Sequence, residues 1–598
     1  MSNTKNKPPL QMRPGRNNRG LPVQKPKNLG NTLAKLWEYI SIHKFKLALV
    51  VFCVFFSTCT SLISTTIIGT SIDKYILTGK FNELKHVILT LIFIYILSAI
   101  FTWIMSQLCI NVAQNTVYNI RKDLFNKLQT LPLKYFDTNS KGDIMSRITN
   151  DVDNIAQSLN TSLSQALQSV LTLIGIFICM IRLNIILTLI CLISLPIFYL
   201  ITKAVTSHSR VYFKEQQKFL GALNGGIEES ISGQRVIKTF VREKEELERL
   251  TILNNELKEV SIKAQIFSGV MGPSTTFINS LNYGFMVIMG SLLGISAGVI
   301  TSFLLYSKQF ARPFNEIATL YNTLLSAVAG AERVFEVMEQ EPEPLDNKDA
   351  ITLDNIHGRV DFKNVYFSYD EDKPILKDVN LYAKSGQTIA LVGPTGAGKT
   401  TIINLLTRFY DIQSGEILID GIDITNIKRD SLRESLGIVL QDTYLFSGTI
   451  MDNLRYGRLD ATDAEIKNAA IAARAHEFIR RLPQGYDTVL TEDTDQLSQG
   501  QKQMLAIART ILANPKILIL DEATSNVDTR TELKIQKAMN TLMEGKTSFV
   551  IAHRLSTIKN ADLIAVIYDG EIVERGNHNE LLAEKGYYYN LYMNQFNQ

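Results

Sequence analysis

Charge disappears from this chain in five long stretches. No Asp, Glu, Lys or Arg lies between Lys46 and Asp73, from Val87 to Ile120, from Asn154 to Ile181, from Leu183 to Thr202, or from Ala264 to Ser307. A helix needs about 20 apolar residues to cross the ~30 Å hydrocarbon core of a bilayer. Each of the first four runs therefore holds one span, and the fifth, 44 residues long, holds two. The expected spans are approximately 47–72, 87–112, 160–181, 183–205, 264–292 and 297–320. Buried helices of a soluble protein are the competing reading, but so many charge-free runs in one chain have no soluble packing solution.

Six spans return the chain to its starting side. The segments 111–160 and 206–263 are rich in Lys and Arg, and the basic tail 1–32 carries seven of them with no acid. The positive-inside rule then predicts that both termini are cytosolic. The two basic segments are too long for loops and keep helical periodicity, so the spans are expected to continue as helices beyond the membrane. The basic tail is either an arm near anionic headgroups or a disordered leader. The fifth run is tight for two spans and a turn. Either the outer turn is unusually short or the sixth helix starts deeper, which draws Lys308 toward the bilayer interior, where a cation must face a cavity or a partner. Gln107, Gln165, Asn279 and Asn282 either line a path or bond neighbouring helices.

The character changes after Gly330. Acid and proline in "EVMEQEPEPLDN" mark a linker over 331–354, and the alternating and apolar runs of 355–598 read as a soluble α/β domain; 33–330 is the membrane domain. A chain of 598 residues is too long for one core, and its 46% hydrophobic and 20% charged residues are segregated in the way a membrane protein with a soluble domain requires. The five cysteines all fall in the apolar part, without metal-ligand spacing.

Two motifs in the α/β part carry chemistry. "GPTGAGKT", Gly393 to Thr400, follows the apolar "TIALV" and precedes "TIINLLTRF", which is the strand, loop and helix context of a phosphate loop. Gly393, Pro394, Thr395, Gly396, Ala397 and Gly398 would wrap backbone N–H groups around phosphate oxygens, with Lys399 as the cation, Thr400 reaching Mg²⁺ and Thr401 opening the helix. In "KILILDEATSNVD", four apolar residues form a buried strand ending in Asp521, placed to hold Mg²⁺; Glu522 follows as a base for water. ATP and Mg²⁺ are the expected cofactors.

At this point the residues carry a resemblance. "LSQGQKQMLAIART" from Leu497 looks like the signature of ATP-binding cassette proteins, and other markers stand around it in the family's order. The resemblance implies that Tyr369, in "VYFSYD", stacks on adenine and that Gln441, in "IVLQD", senses the γ-phosphate and Mg²⁺. It also implies that Asp528 lies in a loop crossing to the opposite cassette and that His553, in "IAHRLS", is a switch beside the γ-phosphate. Two cassettes sandwich two ATP molecules in this family, so Ser498 and Gly500 are expected to cap nucleotide held by a second chain. Gln499 stands where the commonest signature has glycine. "TNSKGDIMSRITNDVDNI" resembles the first coupling helix of bacterial multidrug-type exporters, near 138–146, and Gln216 to Leu223 falls where the second, near 215–223, is expected.

The fold class so implied is a six-span α-helical membrane domain plus an α/β P-loop NTPase cassette. The expected activity is ATP-driven export of small amphipathic compounds across the cytoplasmic membrane by one half of a dimer, with no role for nucleic acid. The basic tail, "QIFSG", "FARPFNE" and "LSQGQ" together resemble one subunit of a heterodimeric exporter, the one that keeps the catalytic Glu; a homodimer remains open. Competing readings are an ATP-gated channel or regulator, a peptide exporter, and a soluble cassette ATPase.

Overall fold

The computed structural model describes residues 28–596 apart from 354, 371–372, 442, 492–496, 522–527 and 553–554. The chain divides into two compact units, one of Met1–Leu131 with Asn139–Gln340 and one of Pro132–Thr138 with Glu341–Gln598.

The first unit is helical. It contains α1 (Leu29–Ser41), α2 (Lys44–Ser71) and α3 (Phe81–Gln129), while the short α4 (Leu133–Thr138) that follows belongs to the other unit. It resumes with α5 (Lys141–Ser146), α6 (Val152–Leu183), α7 (Ile185–Ser232), α8 (Gln234–Thr239), α9 (Glu243–Gly269), α10 (Met271–Leu292) and α11 (Ala297–Met338). Among the described residues, Lys44–Ile76, Phe81–Gln129 and Lys141–Leu183 are long and apolar enough to cross a membrane by length and composition. The other three expected spans fall on α7, on α9 with α10, and on α11. At 48 residues, α7 extends to about 72 Å, well beyond a hydrocarbon core.

Two expectations about this unit need adjustment, and of the two alternatives for the outer turn the structure shows the short one. The segment 264–292 is not one helix: α9 ends at Gly269 and α10 begins at Met271, with Pro273 in its first turn, where a missing N–H costs little. The tight turn before the sixth expected span is Leu293–Ser296; Gly294 takes φ +65° and the Ser296 hydroxyl caps the Val299 N–H. Residues 215–223 form no separate helix but lie within the unbroken α7, because nothing in that stretch interrupts the ladder until Gly233. The short helix at the end of α7 is α8, closed by Val241 at φ +54°.

An ion pair to a buried carboxylate ties α11 to the segment before α6. Asp151 is buried, and Arg333 grips it with two bonds, Nε to Oδ2 at 2.8 Å and Nη2 to Oδ1 at 2.5 Å. A Cβ added to Gly330 would come within 3.3 Å of the Asp151 carbonyl oxygen, so the helices approach closely there.

The second unit is built on two main sheets and a small antiparallel pair, β7 with β8. Its strands are β1 (Val360–Phe367), β2 (Leu376–Ala383), β3 (Thr388–Val392), β4 (Ser414–Ile419), β5 (Ile422–Asp423), β6 (Leu436–Val439), β7 (Gly448–Thr449), β8 (Val489–Leu490), β9 (Ile517–Asp521), β10 (Thr547–Ile551), β11 (Leu563–Tyr568) and β12 (Glu571–Gly576). A six-stranded sheet runs β12-β11-β3-β10-β9-β6, parallel except for β12 at its edge; an antiparallel sheet runs β2-β1-β4-β5. Continuous apolar strands such as "TIALV" and "ILIL" are what a parallel sheet covered on both faces demands. Phe362, Leu381, Ile389 and Ile402 pack in one cluster, and Val439, Ile507, Leu520 and Ile535 in another.

The acidic stretch read as a linker is partly structural. Residues 331–338 continue α11, and from Glu341 the chain belongs to the second unit. There the buried Arg429 lies 3.6 Å from Glu343, 3.4 Å from Asp346 and 3.3 Å from Asp411, while Arg433 Nη2 meets Glu343 at 2.5 Å.

Replacing Arg333 by Met would strand the buried Asp151 carboxylate. The expected loss is about 2 kcal/mol, less than the ~3–5 kcal/mol of a fully enclosed pair because Arg333 is 37% exposed. A lower Tm of the detergent-solubilised protein, partly recovered by adding Asp151→Asn, is the measurement.

Candidate nucleotide site

Parallel pairing decides where the candidate residues meet. Leu391 of β3 lies opposite Ile551 of β10, Ile551 lies opposite Asp521 of β9, and Leu520 lies opposite Val439 of β6. The carboxyl ends of these four strands therefore share one edge, the position where ligands of parallel sheets bind. The loop from Gly393 leaves β3 there, Asp521 ends β9, and Gln441 follows β6 by two residues and is exposed. Glu522, next to Asp521 in sequence, and His553, two residues beyond β10, lie outside the described residues.

The loop has the shape an anion requires. It opens α12 (Lys399–Leu406), whose N-cap, Gly398, sits at φ +106° and supplies no side-chain cap, so the first N–H groups stay available. A Cβ at Gly398 would lie 2.6 Å from Leu376, and one at Gly393 would lie 2.2 Å from the Ile567 carbonyl. Gly396 takes φ +85° with open space beside it. Pro394 and Thr395 are exposed, Ala397 is buried, Thr400 is exposed and Thr401 is buried.

Lys399 is buried within this loop, and its ammonium donates to the carbonyls of Gly393 at 2.8 Å and Pro394 at 2.9 Å. Burial pushes its pKa below the ordinary lysine value, and the Asp521 carboxylate opposes that shift. A phosphate group would relieve the desolvation, so an uncapped helix, a compressed glycine turn and a buried cation fit a nucleotide triphosphate. Thr400, Gln441 and Asp521 are oxygen donors of the kind that hold Mg²⁺.

Beside the loop, Tyr369 stands edge-on between two rings, with centroids 4.9 Å from both Phe367 and Tyr410. Its hydroxyl donates to Thr401 at 3.4 Å and accepts from Asn404 at 3.2 Å, which holds the ring next to α12. Tyr410 and Asn404 were not legible as site residues. Tyr410 also donates through its hydroxyl to Asp137 of α4 at 2.5 Å, and burial followed by that carboxylate pushes the phenol above its usual range. The signal in the sequence was the helix break at "LPLKYFD".

Ser498 and Gly500 sit apart from the loop. Ser498 caps the helix Gln499–Ala513 in a capping box with Gln501, and Gly500 is buried in its first turn. Asp528 caps the helix Thr529–Met543 by accepting from the Arg530 and Thr531 N–H groups, which hold its carboxyl below the usual range. Arg509, another residue the motifs did not mark, ties the signature helix to the segment following Gln441. It donates to the Asn453 carbonyl at 2.9 Å and lies over the rings of Phe446 and Tyr456.

Comparisons with known proteins find similar sequences along both units. Residues 47–314 match the family model of the ABC transporter transmembrane region, and residues 376–525 match that of the ABC transporter. The chain is 46% identical, over 96% of its length and 95% of the relative's, to an uncharacterized ABC transporter ATP-binding protein of Bacillus subtilis. It is 45% identical, over 83% of its length and 79% of the relative's, to a fatty acid ABC transporter ATP-binding/permease protein of Mycobacterium bovis. An ATP-dependent lipid A-core flippase of Syntrophus aciditrophicus is 35% identical, with 93% of each chain covered.

Removing the buried cation should remove the site. Lys399→Ala is expected to weaken nucleotide binding at least tenfold, since a charge-assisted bond contributes roughly 1.5–3 kcal/mol. Titration with a fluorescent ATP analogue reads this directly.

Proposed function

This chain belongs to the ABC transporter family, whose cassettes couple ATP hydrolysis to transport, and from that premise we propose that it is half of a dimeric exporter that moves amphipathic compounds, drugs or lipids, across the cytoplasmic membrane. The observation that carries the reading is the shared edge formed by the ends of β3, β6, β9 and β10, in a chain that also carries helices apolar enough to cross a bilayer. The names of the mycobacterial and Syntrophus relatives, one a fatty acid transporter and one a flippase, support an amphipathic substrate.

In this reading all six expected spans cross the membrane and both termini are cytosolic. The loop Gly393 to Thr401 and Lys399 hold the phosphates, Tyr369 receives the adenine, and Thr400, Gln441 and Asp521 hold Mg²⁺. ATP supplies the phosphoanhydride whose cleavage drives the cycle. Glu522 takes a proton from the attacking water, and His553 donates to the developing charge. Ser498, Gly500 and Asp528 act across the interface on nucleotide held by a second chain. That chain is a different subunit, because Gln499 alters the cap this chain offers while Glu522 keeps its own site competent. Cassette closure reaches the helices through α4 and the neighbouring α5, and through α8 in place of 215–223.

Glu522→Gln is expected to retain ATP binding and abolish turnover, read as a trapped nucleotide against phosphate release; undiminished hydrolysis would reject Glu522 as the base. Tyr410→Phe keeps the ring beside Tyr369 but loses the bond to Asp137. It should leave nucleotide affinity within about twofold while lowering the stimulation of ATPase by a transported compound, since a bond to a carboxylate contributes roughly 1.5–3 kcal/mol. Co-purification of differently tagged copies separates the two assemblies: recovery of only one tag, together with another cassette chain, supports the heterodimer.

A further inference from the structure

The first half of α11 differs from the other long helices of the membrane domain in what it exposes, although Ile317, Tyr321 and Leu324 are exposed further along it. Outward faces of α2, α3, α6, α7 and α10 carry large apolar residues such as Phe52, Phe93, Ile174, Ile193 and Phe285. Between Gly298 and Glu316, no described residue of α11 exposes a large apolar side chain, and among those described only Lys308 is exposed. A helix lying against acyl chains shows the opposite pattern.

Polar bonds occupy the other sides of α11. Tyr306 donates to the Leu62 carbonyl at 2.7 Å, Gln309 to Thr65 at 3.3 Å and Ser302 to the Thr65 carbonyl at 3.4 Å, all on α2. Ser307 accepts from Cys191 of α7 and Asn282 of α10. Lys308 is thus left on the remaining open side, and among the described residues it has no ion-pair partner.

Its depth adds to the constraint. Lys308 is the twelfth residue of α11, which places it about 17 Å along the helix from the outer turn, near the middle of a ~30 Å core. An ammonium at that depth needs water or an anion.

Resting on the exporter reading, we infer that the open side of α11 lines the transport path and that Lys308 receives the anionic head, carboxylate or phosphate, of a single-tailed amphiphile. The half-buried Leu304 and Leu305, one turn before it, offer apolar contact for the start of the tail.

The test uses the full-length protein, with any subunit that co-purifies, in nanodiscs of neutral phosphatidylcholine. ATPase stimulation is titrated with oleate, with oleoyl lysophosphatidate and with uncharged monoolein, each normalised to the basal rate of the same variant. Lys308→Gln should raise the half-stimulating concentration of the anionic amphiphiles at least tenfold relative to that of monoolein, and Lys308→Arg should restore it. A rise for oleate alone assigns a carboxylate ligand, and a rise for lysophosphatidate alone a phosphate. Equal responses of Lys308→Gln and wild type to all three, or an equal loss for charged and uncharged compounds, would overturn the assignment. Absence of Mg·ATP hydrolysis in the wild type would instead defeat the exporter reading, whereas intact hydrolysis without head-group discrimination defeats only the role of Lys308.

Discussion

Parallel hydrogen bonding across β6, β9, β10 and β3 brings to one line residues that are far apart in the chain. Asp521 follows the phosphate loop by more than a hundred positions, yet the register of two strand pairs sets it within electrostatic reach of Lys399. The strands must be apolar on both faces to be buried, so polar chemistry can be placed only where they end. That restriction puts the cation, the carboxylate and Gln441 along one edge, with the glycine turn supplying unusual backbone at Gly393, Gly396 and Gly398.

What could be read in advance divides along the same line. "GPTGAGKT" was legible because a tight turn before a helix restricts residue type locally: Gly398 is squeezed by Leu376 and has positive φ. The apolar strands and long helices were legible from period and run length. Tyr410, Asn404 and Arg509 were not, since each acts through partners distant in sequence, and an isolated tyrosine or arginine has no signature. The break at Val270 escaped notice because the residues around it are as apolar as the rest of the run. Placing a short helix at 215–223 relied on family likeness, while locally the chain continues as helix to Gly233.

The membrane unit balances two demands. Helices facing lipid expose bulky apolar side chains, whereas α11 is knitted to α2, α7 and α10 through hydroxyl, amide and thiol groups. In a medium without water, such bonds fix which side of a helix faces inward more sharply than apolar packing does. Close approach at Gly69 and Gly298 serves the same end, because a Cβ at Gly298 would lie 2.0 Å from the Gly69 carbonyl.

The clamp of Arg429 and Arg433 on Glu343 has a mechanical consequence. α11 ends at Met338, and Glu341 is already part of the cassette unit, so the tether between helix and engine is two residues, Glu339 and Gln340. Fully stretched, three peptide steps reach about 10 Å. So short a segment bounds how far the end of α11 and Glu341 can ever separate, because neither residue between them can add length beyond a fully extended peptide.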